Sequence, residues 1–274
     1  MAPGEIAALI SYPVKGCAGI ATSGSTLTQA GLEHDRAFMV VDLDGTYRTQ
    51  RRHPRLALAQ PRVDGDLMTL SAPGTDPLTV AVNSTGARRP VDLFGAPYLG
   101  IDQGDAAAEW FSDLLGSPSR LVRVPPEHDR VTDGATVGTS GYADSCPVHL
   151  ISTASLDLLD ERLAEDGSAP LPMNRFRPNI VISGWDDPHT EDLARTISIG
   201  EAALGYAKLA IRCAVTTVDQ ETGLRAGPQP LRTLARYRRA DAGIAFGTKF
   251  AVVRPGRLSV GDKVVVEAWG AAEI

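Results

Sequence analysis

An arginine and a cysteine stand side by side at Arg212 and Cys213, inside the segment KLAIRCAVTTVDQETG, which runs from Lys208 to Gly223. Its apolar residues predict a β-strand that contains the pair and leads into a turn after Val218. A cation beside a thiol favours the thiolate, which is the form that attacks electrophiles and binds metals. The pair therefore predicts a metal ligand or a nucleophile, against the alternative that Cys213 only packs in the core.

Further polar residues stand at the predicted ends of other strands, where sites are usually built. They occur in the stretches YPVKGC, GLEHDRAF, YADSCPVHLIS and NRFRPNIVISG. Arginine offers paired donors and lysine a point charge, so Lys15, Arg36, Arg177 and Arg212 together would suit a phosphate. Each arginine alone reads as a solvated surface residue, and an Asp-Ser pair before a strand reads as a turn.

The elements that must position these residues are mostly strands. In the first hundred residues we expect a hairpin around Asp44-Gly45 between Arg36 and Gln50, and a second strand pair within Leu67–Val82. Such short strands favour an antiparallel barrel or sandwich. A helix follows over Asp105–Gly116, with Asp105 capping its start and Gly116 its end.

The second half also alternates between strands and a few helices. A long loop is expected over Pro125–Gly141, and an amphipathic helix over TASLDLLDERLAEDG. A short helix is expected in QPLRTLARYRRA. The predicted strands are VHLIS, PNIVIS, TISIG, KLAIRCAVTTV, KFAVVRPG and DKVVVEA. The predicted fold class is therefore mainly β with some α.

Composition narrows the possible functions of the 274-residue chain. Its net charge of −6 argues against a general nucleic-acid or membrane-surface binder. No apolar run is long enough to span a bilayer, and the N-terminus has no signal-peptide pattern, so we expect a cytoplasmic protein. The three cysteines do not suggest a disulfide framework, and no zinc spacing, nucleotide loop or nucleophile elbow is present.

Taken together, these stretches resemble the MOSC family, the molybdenum cofactor sulfurase C-terminal domain proteins, in the branch of the amidoxime-reducing component. The resemblance implies an N-terminal β-barrel domain over residues 1–95, a connecting helical segment over 96–124 and a β-barrel-like MOSC domain over 125–270. The stretches that carry it, in family order, are YPVKGC, GLEHDRAFMVVDLDG, RRHPRLAL, YADSCPVHLISTASLDLL, NRFRPNIVISG, RCAVTTVDQETG and FGTKFAVVRPGRLSVGDKVVV.

The resemblance also implies a site. It makes Cys213 the catalytic molybdenum ligand, which suits a soft thiolate. Four positions depart from the pattern and bear on cofactor orientation and substrate choice: Gly16, Cys146, Ile211 and Lys249. The implied contacts to the molybdopterin are Lys15, Gly16, Arg36, Asp144, Ser145, Cys146, Arg177, Ile211, Arg212 and Lys249.

The implied activity is reduction of N-hydroxylated compounds by a molybdenum-cofactor enzyme. Since the chain has no four-cysteine spacing for an iron–sulfur cluster, the electrons would come from a separate ferredoxin- or cytochrome-like protein. Two alternatives stay open: transfer of sulfur from a persulfide on Cys213, and a non-catalytic cofactor carrier. Cys146 is expected to fill space, to be a second soft ligand, or to pair with Cys213 in the empty site.

Overall fold

A computed structural model of the protein describes residues 3–274 and assigns to them 22 β-strands and three α-helices. The helices are α1 (Asp105–Leu115), α2 (Thr153–Glu165) and α3 (Leu231–Leu234). The strands are β1 (Gly4–Ser11), β2 (Val14–Lys15), β3 (Ile20–Thr22), β4 (Gly24–Thr28), β5 (Gly31–Leu32), β6 (Phe38–Val41), β7 (Arg62–Asp64), β8 (Leu67–Ala72), β9 (Thr75–Ala81), β10 (Arg88–Leu93), β11 (Ala96–Asp102), β12 (Arg120–Arg123), β13 (Val131–Thr132), β14 (Gly138–Thr139), β15 (Val148–Ser152), β16 (Ile180–Ser183), β17 (Ala194–Ile199), β18 (Ala202–Ile211), β19 (Arg239–Ala240), β20 (Gly243–Arg254), β21 (Gly256–Ser259) and β22 (Lys263–Trp269).

Seven strands close into a barrel in the order β15-β16-β1-β22-β17-β18-β20, with β20 pairing back onto β15. Strand β1, from the start of the chain, lies between β16 and β22, so it completes a barrel whose other strands all come from the second half. The barrel encloses an apolar core that includes Ile6, Leu204 and Phe250. Removing this apolar surface from water is the main stabilising contribution.

A five-stranded sheet, β10-β11-β12-β6-β2, and the meander β7-β8-β9 form the other large β unit. Helix α1 packs against these strands. Its buried Trp110 and Phe111 lie in the same apolar core as Val14 of β2 and Phe38 of β6. The predicted fold class, mainly β with some α, is confirmed. The domain boundaries at residues 95 and 125 stay a prediction.

Three local expectations were wrong. Helix α1 is capped by Gly104 rather than Asp105, because Asp102 Oδ1 accepts the backbone N–H of Gly104 and turns the chain there. The hairpin after β6 has no second strand: the carboxylate of Asp42 accepts the N–H of Thr46, and only an isolated bridge follows. The loop over Pro125–Gly141 contains the small hairpin β13-β14.

The largest difference concerns the Arg212-Cys213 pair. Strand β18 ends at Ile211, and a 3₁₀ helix occupies Ala214–Thr217, so the pair lies just beyond the strand rather than within it. The carbonyl of Cys213 accepts both the backbone N–H and the hydroxyl of Thr216, which closes this turn. No helix in the described part of the chain has the length and apolar character of a membrane span.

Candidate functional site

A cavity of about 570 Å³ opens where the barrel meets the five-stranded sheet, and every residue predicted for the site lines it. The two β units contribute residues that are far apart in sequence, since Lys15, Gly16 and Arg36 come from the N-terminal part and the other predicted residues from the second half. The predicted residues at its wall are Lys15, Gly16, Arg36, Asp144, Ser145, Cys146, Arg177, Ile211, Arg212, Cys213 and Lys249.

Two of the arginines share one aromatic platform. The guanidinium carbons of Arg36 and Arg177 each lie 4.3 Å from the ring centroid of Tyr12, which is buried just after β1. A cation over an aromatic face is stabilised by the ring quadrupole, and more strongly when water is excluded. Burial raises the pKa of Tyr12, so its phenol stays neutral and adds no charge between the two cations.

Both arginines adopt a left-handed backbone conformation, with φ of 49° at Arg36 and 57° at Arg177. This conformation is costly for a residue with a side chain and concentrates at functional sites. At Arg36 it is supported by an ion pair of 2.6 Å with Asp35 and a hydrogen bond of 3.0 Å to Asn179 Oδ1. Asn179 also donates to Asp35 at 2.9 Å, so the three side chains form one buried unit.

The guanidinium of Arg212 contacts the backbone carbonyl of Phe176 and the imidazole of His149. Its Nη2 donates to the carbonyl of Phe176 at 2.7 Å, and its Nη1 lies 3.4 Å from Nε2 of His149. Nδ1 of His149 lies 3.4 Å from the carbonyl of Arg177. Burial, together with the charges of Arg212 and Lys249, holds the pKa of His149 well below its usual value. A neutral imidazole therefore donates to Arg177 and accepts from Arg212.

The two lysines approach the cavity from opposite β units. Lys15 donates to the carbonyl of Tyr142 at 2.9 Å and pairs with the carboxylate of Asp144. Lys249 donates to Ser145 Oγ at 2.6 Å. Burial opposes ionisation of Asp144, but the charges of Lys15 and Lys249 prevail and hold the pKa of its carboxyl well below its usual range. Burial lowers the pKa of Lys249 to about 8.

The electrostatics of the cavity fit an anion. Eight cationic side chains and two carboxylates line it, and the carboxylates, Asp133 and Asp144, are already paired with lysines. Burial lowers the pKa of Arg177, and lowers that of Arg212 to about 10, so this concentration of positive charge is unfavourable by itself. The buried Nε of Arg212 has no hydrogen-bond partner among the described residues. A phosphate-bearing pterin would supply both the charge and the acceptor.

The three cysteines differ in what they can reach. Cys17 lies in the core of the N-terminal unit, and burial raises the pKa of its thiol to about 12. Cys146 is buried at the cavity wall, and its Sγ donates to the carbonyl of Asp133 at 3.6 Å. Cys213 is half-buried at the cavity, directly after Arg212. It is therefore the thiol placed to meet a bound group.

Sequence reasoning missed several residues that line the cavity or contact its lining. Tyr12 was not singled out, although the YPVK stretch contains it. His149 is a polar residue inside the buried strand VHLIS, and this position was the one sequence signal that could have identified it. The Gln50–Gln220 amide pair, which spans 170 residues and contacts the carbonyl of Gly16, left no local signal. Tyr47 and Phe94 were also missed, and their rings lie under the ammonium of Lys15.

Comparisons with known proteins agree with this architecture. The MOSC N-terminal beta barrel domain matches residues 3–118, and the MOSC domain matches residues 138–265. The human mitochondrial amidoxime-reducing component 1 is 35% identical over 282 residues, with 95% of this chain and 82% of the relative covered. The mitochondrial amidoxime reducing component 2 of Rattus norvegicus is 34% identical, at 95% and 82% coverage.

Among solved structures, the YUAD protein from Bacillus subtilis is 10% identical, with a TM-score of 0.42 and coverage of 96% of this chain and 94% of that one. Both domain matches and the relatives above 30% identity cover the elements that build the cavity. The chain therefore belongs to the MOSC-domain family, on the branch of the amidoxime-reducing components.

Proposed function

We propose that the protein is a molybdenum-cofactor-dependent reductase of N-hydroxylated compounds. The observation that carries the proposal is the cavity itself, where eight cations and two carboxylates surround a half-buried thiol. The names of the relatives point to amidoximes as the substrate class. The cytoplasmic location expected from the sequence stays a prediction.

Each part of the site has a role in this proposal. Arg36 and Arg177, fixed over Tyr12, bind the phosphate and pterin, and Arg212 adds its unpartnered Nε. Lys15 and Lys249 hold Asp144 and Ser145 at the wall. Cys213 is the protein's ligand to molybdenum, since thiolate is a soft donor suited to such a centre. The bound cofactor supplies the two-electron chemistry.

The overall reaction fixes what else is needed. An amidoxime, two electrons and two protons give an amidine and water, so the N–O bond breaks and its oxygen leaves in the water. The protons come from solvent that reaches the open cavity. The electrons come from a separate carrier protein. The residues of this chain bind and orient the cofactor and the substrate, and Phe176 and Leu209 contribute apolar side chains to the cavity lining.

Sulfur transfer is the alternative that the half-buried thiol beside Arg212 also favours, because a persulfide needs an accessible, ionisable cysteine. Sulfur transfer from a persulfide needs no metal, whereas the proposed reduction needs molybdenum. A cation-rich cavity far larger than a thiol requires favours the bound pterin.

The proposal is tested with protein made in a host that synthesises the cofactor, using reduced methyl viologen as a chemical donor and benzamidoxime as substrate. The wild type should form benzamidine, and Cys213→Ser should lose this activity while keeping its melting temperature, because the substitution is nearly isosteric. Cys17→Ser, outside the cavity, is the matched control and should remain active. Wild-type turnover by Cys213→Ser would refute the assigned ligand.

A further inference from the structure

A group of exposed arginines stands beside the mouth of the cavity. We call Arg51, Arg52, Arg55 and Arg225 the basic rim. Arg51 lines the cavity, and its carbonyl accepts a hydrogen bond of 2.6 Å from the guanidinium of Arg225. A Cβ placed on Gly223 would lie 3.3 Å from the Cα of Arg55, so the loop before Arg225 packs directly against this segment. The four residues therefore form one surface from two distant parts of the chain.

The charges of the basic rim are not neutralised within the described chain. All four residues are exposed, and none of them forms an ion pair with residues 3–274. The nearest acid in sequence is Glu221, which is exposed in the loop before Arg225. The whole chain carries a net charge of −6, so this surface has the opposite sign to the molecule's total. Such local asymmetry steers association with partners of opposite charge.

The basic rim is also linked to the centre of the site. Gln50, next to Arg51, donates to the carbonyl of Gly16 at 2.7 Å and pairs with Gln220, which follows Cys213 around the 3₁₀ turn. A protein seated on the basic rim would therefore cover the side of the cavity that Gln50 and Arg51 line. Since each turnover consumes two electrons, a donor must approach this cavity.

We propose that the basic rim is the docking surface for an acidic one-electron carrier protein, which binds twice per turnover and delivers one electron each time. The inference rests on the proposed function. The carrier is oxidised, and the two electrons it delivers, with two protons from solvent, cleave the N–O bond of the substrate to give an amidine and water.

The test uses the cofactor-loaded protein and an acidic [2Fe–2S] ferredoxin, reduced in advance and freed of reductant, with an acidic b5-type cytochrome as a second carrier. The measured quantity is the second-order rate constant for carrier oxidation in the presence of benzamidoxime. Arg52→Glu/Arg55→Glu reverses two exposed charges that do not line the cavity. Arg257→Glu, an exposed position on β21 away from the cavity, is the matched control.

With at least one carrier, the wild-type rate constant should fall as salt rises, and the double variant should lower it by about tenfold or more while flattening that dependence. Arg257→Glu should change neither. Turnover driven by methyl viologen should be equal in all three, and its absence in the wild type would refute the proposed function instead. Docking at the rim is refuted if viologen drives turnover but neither carrier is oxidised, or if the double variant matches the wild type. It is also refuted if the variant raises KM for benzamidoxime with viologen, since the rim would then capture substrate.

Discussion

Arg36 and Arg177 are separated by 141 residues, yet Nη2 of Arg36 donates to the backbone carbonyl of Arg177 at 3.4 Å, and both guanidiniums lie over the ring of Tyr12. One cation is therefore fixed by the peptide group of the other. Like charges this close need a compensating group, and the neutral aromatic face supplies part of it. An anionic ligand would supply the rest.

Removing the aromatic face should loosen both arginines. We expect Tyr12→Leu to retain pterin roughly tenfold less tightly, since two buried cation–π contacts are lost, whereas Tyr12→Phe should bind like the wild type. Pterin released during dialysis, measured by fluorescence, distinguishes them. Equal retention by Tyr12→Leu and Tyr12→Phe would show that the ring only fills space.

Arg177 should contribute to ligand binding and not to stability. Charge-assisted hydrogen bonds are worth on the order of 1.5–3 kcal/mol each, so Arg177→Ala should purify with markedly less pterin. Because burial already disfavours the charge of Arg177, the apo form should melt at an unchanged or higher temperature. Arg177→Lys keeps the charge without the paired donors, so its pterin content should lie between those of the wild type and Arg177→Ala. Full pterin content in Arg177→Ala would make the residue purely structural.

His189 should make the protein sensitive to acid. Burial, reinforced by the charge of Arg238, lowers its pKa from 6.5 to about 3 in the folded state. Between these values the unfolded chain binds a proton that the folded chain does not, so stability falls as the pH drops below about 6.5. The loss from pH 7 to pH 5 should be roughly 1–2 kcal/mol.

The substitution that isolates this effect is His189→Asn, because His189 has φ of 63° and asparagine tolerates that conformation. Urea unfolding at pH 8 measures the lost contacts, and the additional change at pH 5 measures the titration. The variant should lose less stability than the wild type between the two pH values. Parallel losses would place the proton uptake elsewhere.

Cys146 should prove to be a packing residue. Burial raises the pKa of its thiol, and its Sγ is engaged with the carbonyl of Asp133. We expect Cys146→Ser to keep benzamidoxime reduction. The unreduced apo protein is treated with an alkylating reagent and analysed by mass spectrometry. Cys213 should be found alkylated, which shows that its thiol was free and not in a disulfide. A peptide linking Cys146 to Cys213 would instead establish a disulfide lock, which requires Cα atoms within roughly 7 Å.

Local patterns predicted the individual elements but not how they assemble. Helix α1 and the pair β8-β9 follow from periodicity and turn residues, which act within a few neighbours. The insertion of β1 between β16 and β22 depends on pairing across most of the chain, and no local signal encodes it. The end of β18 at Ile211 is set by the hydrogen bonds of Thr216, against the strand propensity of its apolar neighbours.

The residues of the candidate site were also predicted only in part, because local patterns do not show which distant residues come into contact. The positions of Lys15, Arg36, Arg177 and Arg212 at predicted strand ends indicated that they could bind a phosphate together. The family resemblance then implied a molybdopterin as the ligand, and the structure places the four residues at one cavity. Neither could identify His149 or Tyr12, because their roles depend on contacts with arginines far away in sequence. Such residues can be identified only once the three-dimensional arrangement of the strands is known.

We propose that Cys213 and the surrounding cations form a molybdenum-cofactor site. The most direct test is to measure the molybdenum and molybdopterin content of the wild-type protein purified from a host that makes the cofactor. We expect both, in equal amounts and approaching one of each per chain. Protein that contains neither, and carries a persulfide on Cys213, would contradict it.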